Sequence, residues 1–107
     1  MKTVSDFKKR LKVGVNLQAT HHLTFSHRDE NGKVVYKDKD LGVREVSVVQ
    51  SNSFACKTPR EVGVFVDSWC AYPKASDCTF IDENTIQIFE TDRDNVKFPV
   101  LTYKFID

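Results

Sequence analysis

The residues of this chain that could do chemistry are its three cysteines and three histidines, and Cys70 is the first candidate. It lies in DSWCAYPKAS, residues 67–76, beside the only tryptophan. A nucleophilic cysteine needs a base within hydrogen-bond reach and surroundings that favour the thiolate. On a predicted strand, however, Cys70 shares one face with Val62, Val64 and Val66, and no local signature of a cysteine hydrolase surrounds it. We therefore predict that Cys70 packs in the core.

A metal site is the second chemistry that these residue types allow. Histidine and cysteine are zinc ligands, but the sequence has no Cys-x-x-Cys or His-x₃-His spacing that would join His27 or a cysteine to a second ligand. His21 and His22 are neighbours on a predicted strand, so their side chains point to opposite sides of it. His21 falls on the apolar side, where a hydrogen-bonded core histidine is the commoner arrangement. We predict no metal site and no cofactor.

Acid and base catalysis is the third chemistry considered. The carboxylates that stand close together, Asp82 with Glu83 and Asp92 with Asp94, occur in predicted turns and loops, where solvent keeps them ionised. The sequence contains no phosphate loop, no G-x-G-x-x-G and no G-x-S-x-G. We therefore predict that the chain is not an enzyme and has no catalytic residues.

Length and charge limit the remaining classes of function. A chain of 107 residues predicts a single domain, residues 1–107, able to be stable without disulfides or metal. The net charge is +1, but six basic residues and only Asp6 stand in the part up to Arg28, whereas ten basic and fourteen acidic residues follow. This distribution predicts a basic element and an acidic region, and it excludes a strongly basic nucleic-acid binder.

The sequence also predicts a location. MKTVSDFKKRLK is interrupted by charge and has no apolar h-region, and no apolar run approaches the roughly 20 residues of a membrane span. An odd number of cysteines without Cys-x-x-Cys is typical of a reducing compartment. We expect a cytoplasmic protein with free thiols and no membrane partner.

TVSDFKKRLKVG predicts a short N-terminal helix. Thr3 as the N-cap and Asp6 three residues later form a carboxylate variant of the capping box. Val4, Phe7 and Leu11 fall on one face, with basic residues on the flanks and back. The helix should therefore pack through its apolar face and expose a basic one.

From Val13 the sequence alternates with the period of strands. Apolar residues at odd positions of 13–25 predict a long half-buried strand, and Asn31-Gly32 predicts a hairpin turn into KVVYK. The pattern is then interrupted by KDKDLG before the strand VREVSVVQS. A second interruption, TPREVG, separates FACK from the strand VFVDSWC, and Pro73 ends that strand. A second hairpin about 82–85, a polar loop TDRDNVKF and a last strand PVLTYKFI follow. The predicted class is α+β, a short N-terminal helix packed on a curled antiparallel sheet or small β-barrel of six to seven strands.

The candidate binding residues lie in two places. Trp69, Tyr72 and Lys74 stand at the end of the VFVDSWC strand, where an aromatic with a nearby lysine makes a good anchor for a protein or a nucleobase. The basic face of the helix offers Lys8, Lys9 and Lys12, whose simplest interpretation is a solvated face. The competing interpretation of Trp69 is that the helix covers it, since a short helix needs tertiary contact. We expect a mixed case, with the edge of the Trp69 ring under the helix and Tyr72 and Lys74 exposed beside it.

Three stretches, REVSVVQSNSFACKT, DSWCAYPKAS and TFIDENTIQIFE, resemble small proteins encoded by bacteriophages and other mobile elements of bacteria. The resemblance covers most of the chain, and its motifs are structural, with no catalytic set attached. It implies a cytoplasmic accessory protein that binds a host or defence protein. Fold analogy of this kind does not by itself give a function.

Two hypotheses of function follow from the sequence. The first is a non-enzymatic module that binds, inhibits or modulates a protein partner through the candidate residues above. The alternative is a nucleic-acid-binding small β-barrel, which the basic N-terminus and the strand aromatics favour. The salt dependence of binding distinguishes the two hypotheses, because the affinity for nucleic acid falls steeply as the salt concentration rises.

Overall fold

The computed structural model describes residues 1–106 and contains one α-helix and seven strands. The helix α1 spans Val4–Arg10, and a single 3₁₀ turn spans Ala75–Asp77. The strands are β1 Asn16–Arg28, β2 Val34–Val49, β3 Ser53–Glu61, β4 Val64–Ala71, β5 Cys78–Asp82, β6 Thr85–Thr91 and β7 Lys97–Ile106. No helix in the described part of the chain has the length and apolar character that crossing a membrane requires.

The strands form one antiparallel sheet in the order β4-β3-β2-β1-β7-β6-β5. Two meanders, β1 to β4 and β5 to β7, are joined by the connection from β4 to β5, which lie at opposite edges. Because β7 returns to pair with β1, the N-terminal strand lies at the centre of the sheet. The α+β prediction is confirmed, and of the two predicted architectures the open curled sheet is the one observed.

The helix forms as its sequence predicts. The Thr3 hydroxyl accepts the N–H of Asp6 at 3.1 Å, and the Asp6 carboxylate accepts the N–H of Thr3 at 3.2 Å, which completes the capping box. A further bond from the N–H of Lys2 is the main cause that lowers the pKa of Asp6. The stabilisation from this carboxylate is therefore present above the ordinary carboxyl pKa and is lost as pH falls through the lowered value. Phe7 and Leu11 are the buried residues of the apolar face.

The predicted break at KDKDLG is wrong, because β2 runs through it as one strand. The bulges in the β1–β2 pairing explain the difference: residues slip out of register after Ala19, after His21 and after Phe25. Gly42 has φ +75°, a left-handed conformation that suits glycine, and the Asp40 carboxylate accepts its N–H at 2.7 Å. Polar residues can occupy this part of β2 because the long hairpin of β1 and β2 extends beyond the core. The bulges also bring Phe25, predicted to be half-buried, to the surface.

The predicted break at TPREVG is also wrong, because β3 continues to Glu61 and only Val62 and Gly63 form the turn into β4. Pro59 cannot donate to the ladder, and a bulge directly after it accommodates the missing bond. The valine face predicted as core is exposed at Val62, Val64 and Val66. β4 is an edge strand, and the core reaches only its Cys70 end.

The core lies where α1 packs on the middle of the sheet. Phe7 is the hub of an aromatic cluster, with its ring centroid 5.8 Å from those of Phe54 and Phe105. Phe54 also contacts Tyr72 at 5.6 Å and Tyr103 at 5.7 Å. Outside this cluster the largest fully buried side chains are aliphatic: Leu17, Val46 and Ile86. The helix therefore completes a core that the sheet alone would leave open on one face.

Candidate functional site

β4 is the strand with the least cover in the molecule. Seven of its eight residues are exposed and only Cys70 is intermediate, because β4 pairs with β3 on one side and has no neighbour on the other. Four large hydrophobic side chains stand free on it, on alternating faces: Val64 and Val66 on one, Phe65 and Trp69 on the other. We call these four residues the β4 edge surface.

Trp69 is 53% exposed, and the expectation that its ring edge packs under the helix is wrong. It pairs with Ala55, whereas the next residue, Cys70, pairs with Phe54. Since Phe54 contacts the helix through Phe7, α1 lies on the face that Trp69 does not use. Of the two interpretations of Trp69, the structure supports the exposed one.

Tyr72 and the basic helix face come together, which the sequence did not predict. The Tyr72 ring is half-buried, 6.3 Å from Phe7, so the expectation that Tyr72 is exposed is wrong. Lys8 Nζ lies 4.7 Å above the ring, within reach of a cation–π contact. Burial raises the pKa of the Tyr72 phenol. Lys74 is exposed five residues after Trp69, as predicted. The exposed lysines on and just after the helix are Lys8, Lys9 and Lys12. The predicted binding residues therefore form two groups, these lysines and the residues around Trp69, on opposite faces of the sheet, and Tyr72 lies where the groups meet.

The face that carries Phe65 and Trp69 is balanced in charge. Lys57 and Glu45 form an ion pair at 2.8 Å, and the hydrogen bond to Glu45 is the main cause that raises the pKa of Lys57. The Ser47 hydroxyl donates to the Asp67 carboxylate at 2.7 Å. Glu45, Lys57, Asp67 and Phe65 line a cleft of about 470 Å³. The positive charge beside Phe65 is therefore paired.

Cys70 has the surroundings of a packed thiol. It is half-buried against the core cluster, and its Sγ lies 3.4 Å from the carbonyl oxygen of Ala71. Burial raises the pKa of the Cys70 thiol, and burial also raises that of its neighbour Cys56 to about 11. A thiol of this kind is neutral near pH 7 and is a poor nucleophile. The geometry supports the prediction that Cys70 contributes to packing.

His22 forms a constellation that sequence reasoning missed. Its Nδ1 lies 2.7 Å from the Asp38 carboxylate and its Nε2 lies 2.6 Å from the Thr102 hydroxyl, so an acid, an imidazole and an alcohol stand in line. This is the order of groups in a hydrolase triad. Asp38 is 70% exposed, so solvent reaches this end of the line and weakens its electrostatics. The three residues come from β2, β1 and β7, and no sequence spacing could have connected them.

The other two histidines also bond to hydroxyl groups nearby. His21 Nδ1 lies 3.1 Å from the Thr24 hydroxyl, and His27 Nδ1 lies 2.9 Å from that of Ser26. His21 is half-buried, as expected for a histidine on the core side whose ring nitrogen has a hydrogen-bond partner. The geometry gives each of the three histidines a separate set of partners.

No protein-family model, curated protein or solved structure matches this chain. The bacteriophage resemblance, the cytoplasmic location and the absence of enzymatic activity therefore stay predictions. The features of this chain that indicate a function are the sheet edge, its exposed side chains and the charges around them.

We expect the fluorescence of Trp69 to report the exposed position directly. Emission from the folded protein should lie near that of a solvated indole, and a neutral quencher such as acrylamide should quench it readily. The free energy of unfolding should fall by less than about 1 kcal/mol on Trp69→Ala, because the ring leaves no closed cavity. A blue-shifted, poorly quenched emission would contradict this placement. Trp69 is the only tryptophan, so the signal needs no assignment.

Proposed function

We propose that this protein is a non-enzymatic module that binds a protein partner by adding an extended segment of that partner to strand β4. The single observation that carries the proposal is the β4 edge surface. An edge strand presents a row of unpaired N–H and C=O groups, and strand addition uses these groups for affinity. Exposed alternate side chains then supply specificity.

The edge lacks the devices that usually prevent such pairing. Natural edge strands are blunted by lysine, proline, bulges or a covering element. β4 contains neither lysine nor proline, and its only charged residue, Asp67, is held by Ser47. The opposite edge, β5, has five residues against eight and ends at Asp82. β4 is thus the longer and less protected of the two edges.

The side chains of the edge indicate what the partner segment looks like. Phe65 and Trp69 stand four residues apart on one face, and Val64 and Val66 lie two apart on the other. A segment that pairs with β4 should therefore alternate in the strand period and place apolar side chains against both sets. Trp69 is the main anchor, since large aromatic residues with a polar rim dominate binding energy. Tyr72 and Lys74 extend the same end of the strand.

Nucleic acid is the less supported partner. A single-strand platform needs basic residues among its stacking aromatics. Around Phe65 the lysine is paired with Glu45, and Lys8, Lys9 and Lys12 belong to the helix and the residues just after it. Arg44, which borders Trp69, is a single positive charge. A gel-shift panel of DNA and RNA at low salt tests this directly. Binding that weakens steeply with salt would favour the nucleic-acid alternative over ours.

The proposal is tested by selecting displayed peptides on the wild-type protein and measuring the affinity of the selected peptides. We expect extended sequences with alternating apolar residues. Trp69→Ala should weaken their binding by about 30-fold, which corresponds to roughly 2 kcal/mol. Phe65→Lys should weaken binding in the same way and leave the fold intact. The matched control is Ile81→Lys, which changes an exposed hydrophobic residue on the opposite edge strand and should not alter affinity.

Three results would count against strand addition at β4. Selected peptides could bind Trp69→Ala as tightly as the wild type, or Ile81→Lys could lose affinity equally. The wild type could also form a dimer that Phe65→Lys dissolves, which would make a second copy of the chain the occupant of the edge. Backbone amide exchange measured with the peptide bound then locates the added strand, because new protection is expected in β4 and not in β5.

A further inference from the structure

The face of the sheet that carries the helix is only partly covered. α1 has seven residues and is about 10 Å long, whereas β1 has thirteen residues and extends over about 43 Å. Phe7 and Leu11 therefore cover one end of this face, around Leu17 and Phe105. Beyond the helix, the same face contains a cavity of about 260 Å³.

The walls of this cavity are mostly apolar. Ala19, Leu41 and Leu101 come from the three central strands, and the Tyr103 ring separates the cavity from the aromatic cluster. The thiols of Cys56 and Cys70 complete the inner wall. Apolar lining with a small number of polar groups is the usual composition of a small-molecule site.

Among residues 1–106, Arg44 is the only charged residue of the lining. Burial raises the pKa values of Cys56, Cys70 and Tyr103, so these three groups are neutral near pH 7. Within residues 1–106 the guanidinium makes no ion pair, and its one hydrogen bond is a long contact of 3.4 Å from Nη1 to the carbonyl of Val43. The cavity thus carries one positive charge whose donors are largely unused.

We propose that this cavity binds a small apolar carboxylate, with its carboxylate on Arg44 and its hydrocarbon part against Ala19, Leu41 and Leu101. A guanidinium presents two parallel donors that match a carboxylate, which makes this the geometrically favoured anion. The hydroxyl groups of Thr58 and Ser68, also in the lining, can donate to the same group. Trp69 also borders this cavity, so the cavity adjoins the β4 edge surface, but the inference does not require a partner strand at that edge.

The size of the cavity limits the ligand. Its volume of about 260 Å³ lies just below the roughly 300–1,000 Å³ of sites for drug-sized ligands. The ligand should therefore be short, and hexanoate, an unbranched monocarboxylate, is a suitable probe. Its neutral and cationic counterparts, hexanol and hexylamine, share the hydrocarbon part and differ only in the head group.

The test is a titration of the protein with these three probes, followed by calorimetry or by NMR of the methyl groups. We expect hexanoate to bind with a Kd on the order of 1 mM, as its few atoms allow. Hexanol and hexylamine should bind at least about tenfold more weakly. Arg44→Gln should weaken hexanoate by about tenfold or more, whereas Arg60→Gln, an exposed arginine on β3 outside the cavity, should change nothing.

A second variant and a readout of position make the result decisive. Ser68→Phe places a large side chain at an exposed position of the lining and should block hexanoate without disturbing the core. Bound hexanoate should shift the methyl signals of Ala19 and Leu101 and leave those of Ile81 unchanged. Equal binding of hexanol, equal binding to Arg44→Gln, or shifts confined to residues outside the cavity would each overturn the proposal.

Discussion

Replacing Phe54 with alanine is expected to lower the free energy of unfolding by about 3–5 kcal/mol. The side chain is completely buried and contacts Phe7, Tyr72 and Tyr103, so its removal leaves a cavity among rings that cannot all move inward. Chemical denaturation measures the change. The midpoint should fall while the slope m stays the same, because the folded state keeps its architecture.

The matched control for this variant is Phe65→Ala. Phe65 is also a phenylalanine in the β3–β4 hairpin, but it is 60% exposed on the edge strand. Its removal leaves no closed cavity, and the free energy of unfolding should change by less than about 1 kcal/mol. Equal losses for the two variants would show that the core does not lie between α1 and the sheet.

Replacing Phe7 with alanine is expected to release the helix from the sheet. Phe7 is its most buried residue, and a helix of seven residues is not stable without tertiary contact. The polar contacts of the helix are weak by comparison. Arg10 donates to the Glu83 carbonyl at 2.7 Å and to Asn84 Oδ1 at 3.0 Å and lies over the Phe105 ring, and Lys8 lies over Tyr72. We expect a loss of about 3–5 kcal/mol, and this time a smaller m, because the folded state already exposes part of the core.

Circular dichroism and amide exchange separate this outcome from simple cavity formation. In Phe7→Ala, the amides of α1 should lose protection while those of β1 and β7 keep theirs. Lys9→Ala, on the exposed side of the same helix, should leave both the helix and the stability nearly unchanged. If the helix amides of Phe7→Ala stay protected, contacts other than those of Phe7 hold the helix on the sheet.

The sequence correctly predicted the elements whose signals lie within a few residues of one another along the chain. Thr3 and Asp6 form the predicted capping box, the first hairpin turns about Gly32, and β4 ends before Pro73. Each of these depends on backbone geometry and hydrogen bonds between near neighbours. The continuous strands β2 and β3 were missed because bulges at Gly42 and after Pro59 absorb residues that otherwise indicate a break.

The two candidate sites depended on tertiary structure in different degrees. Trp69 was identified as a candidate from its type and position, but whether it was covered depended on which face the helix took. The exposure of Val64 and Val66 follows from the place of β4 at the edge, which strand order alone decides. The cavity at Arg44 and the line of groups at His22 join residues from three or more strands, and no spacing in the sequence connects them.

Patterns in the sequence are sufficient to predict the class of this protein: a capped amphipathic helix and a succession of antiparallel strands with a core rich in aromatic residues. These features follow from periodicity and turn chemistry, which act over short distances along the chain. The strand order, the face covered by the helix and the strand at the edge depend on contacts between elements that are distant in the sequence. These features arise when the apolar faces of separate elements are buried against one another. Alternation of side chains gives every strand two faces, but it does not indicate which face is buried.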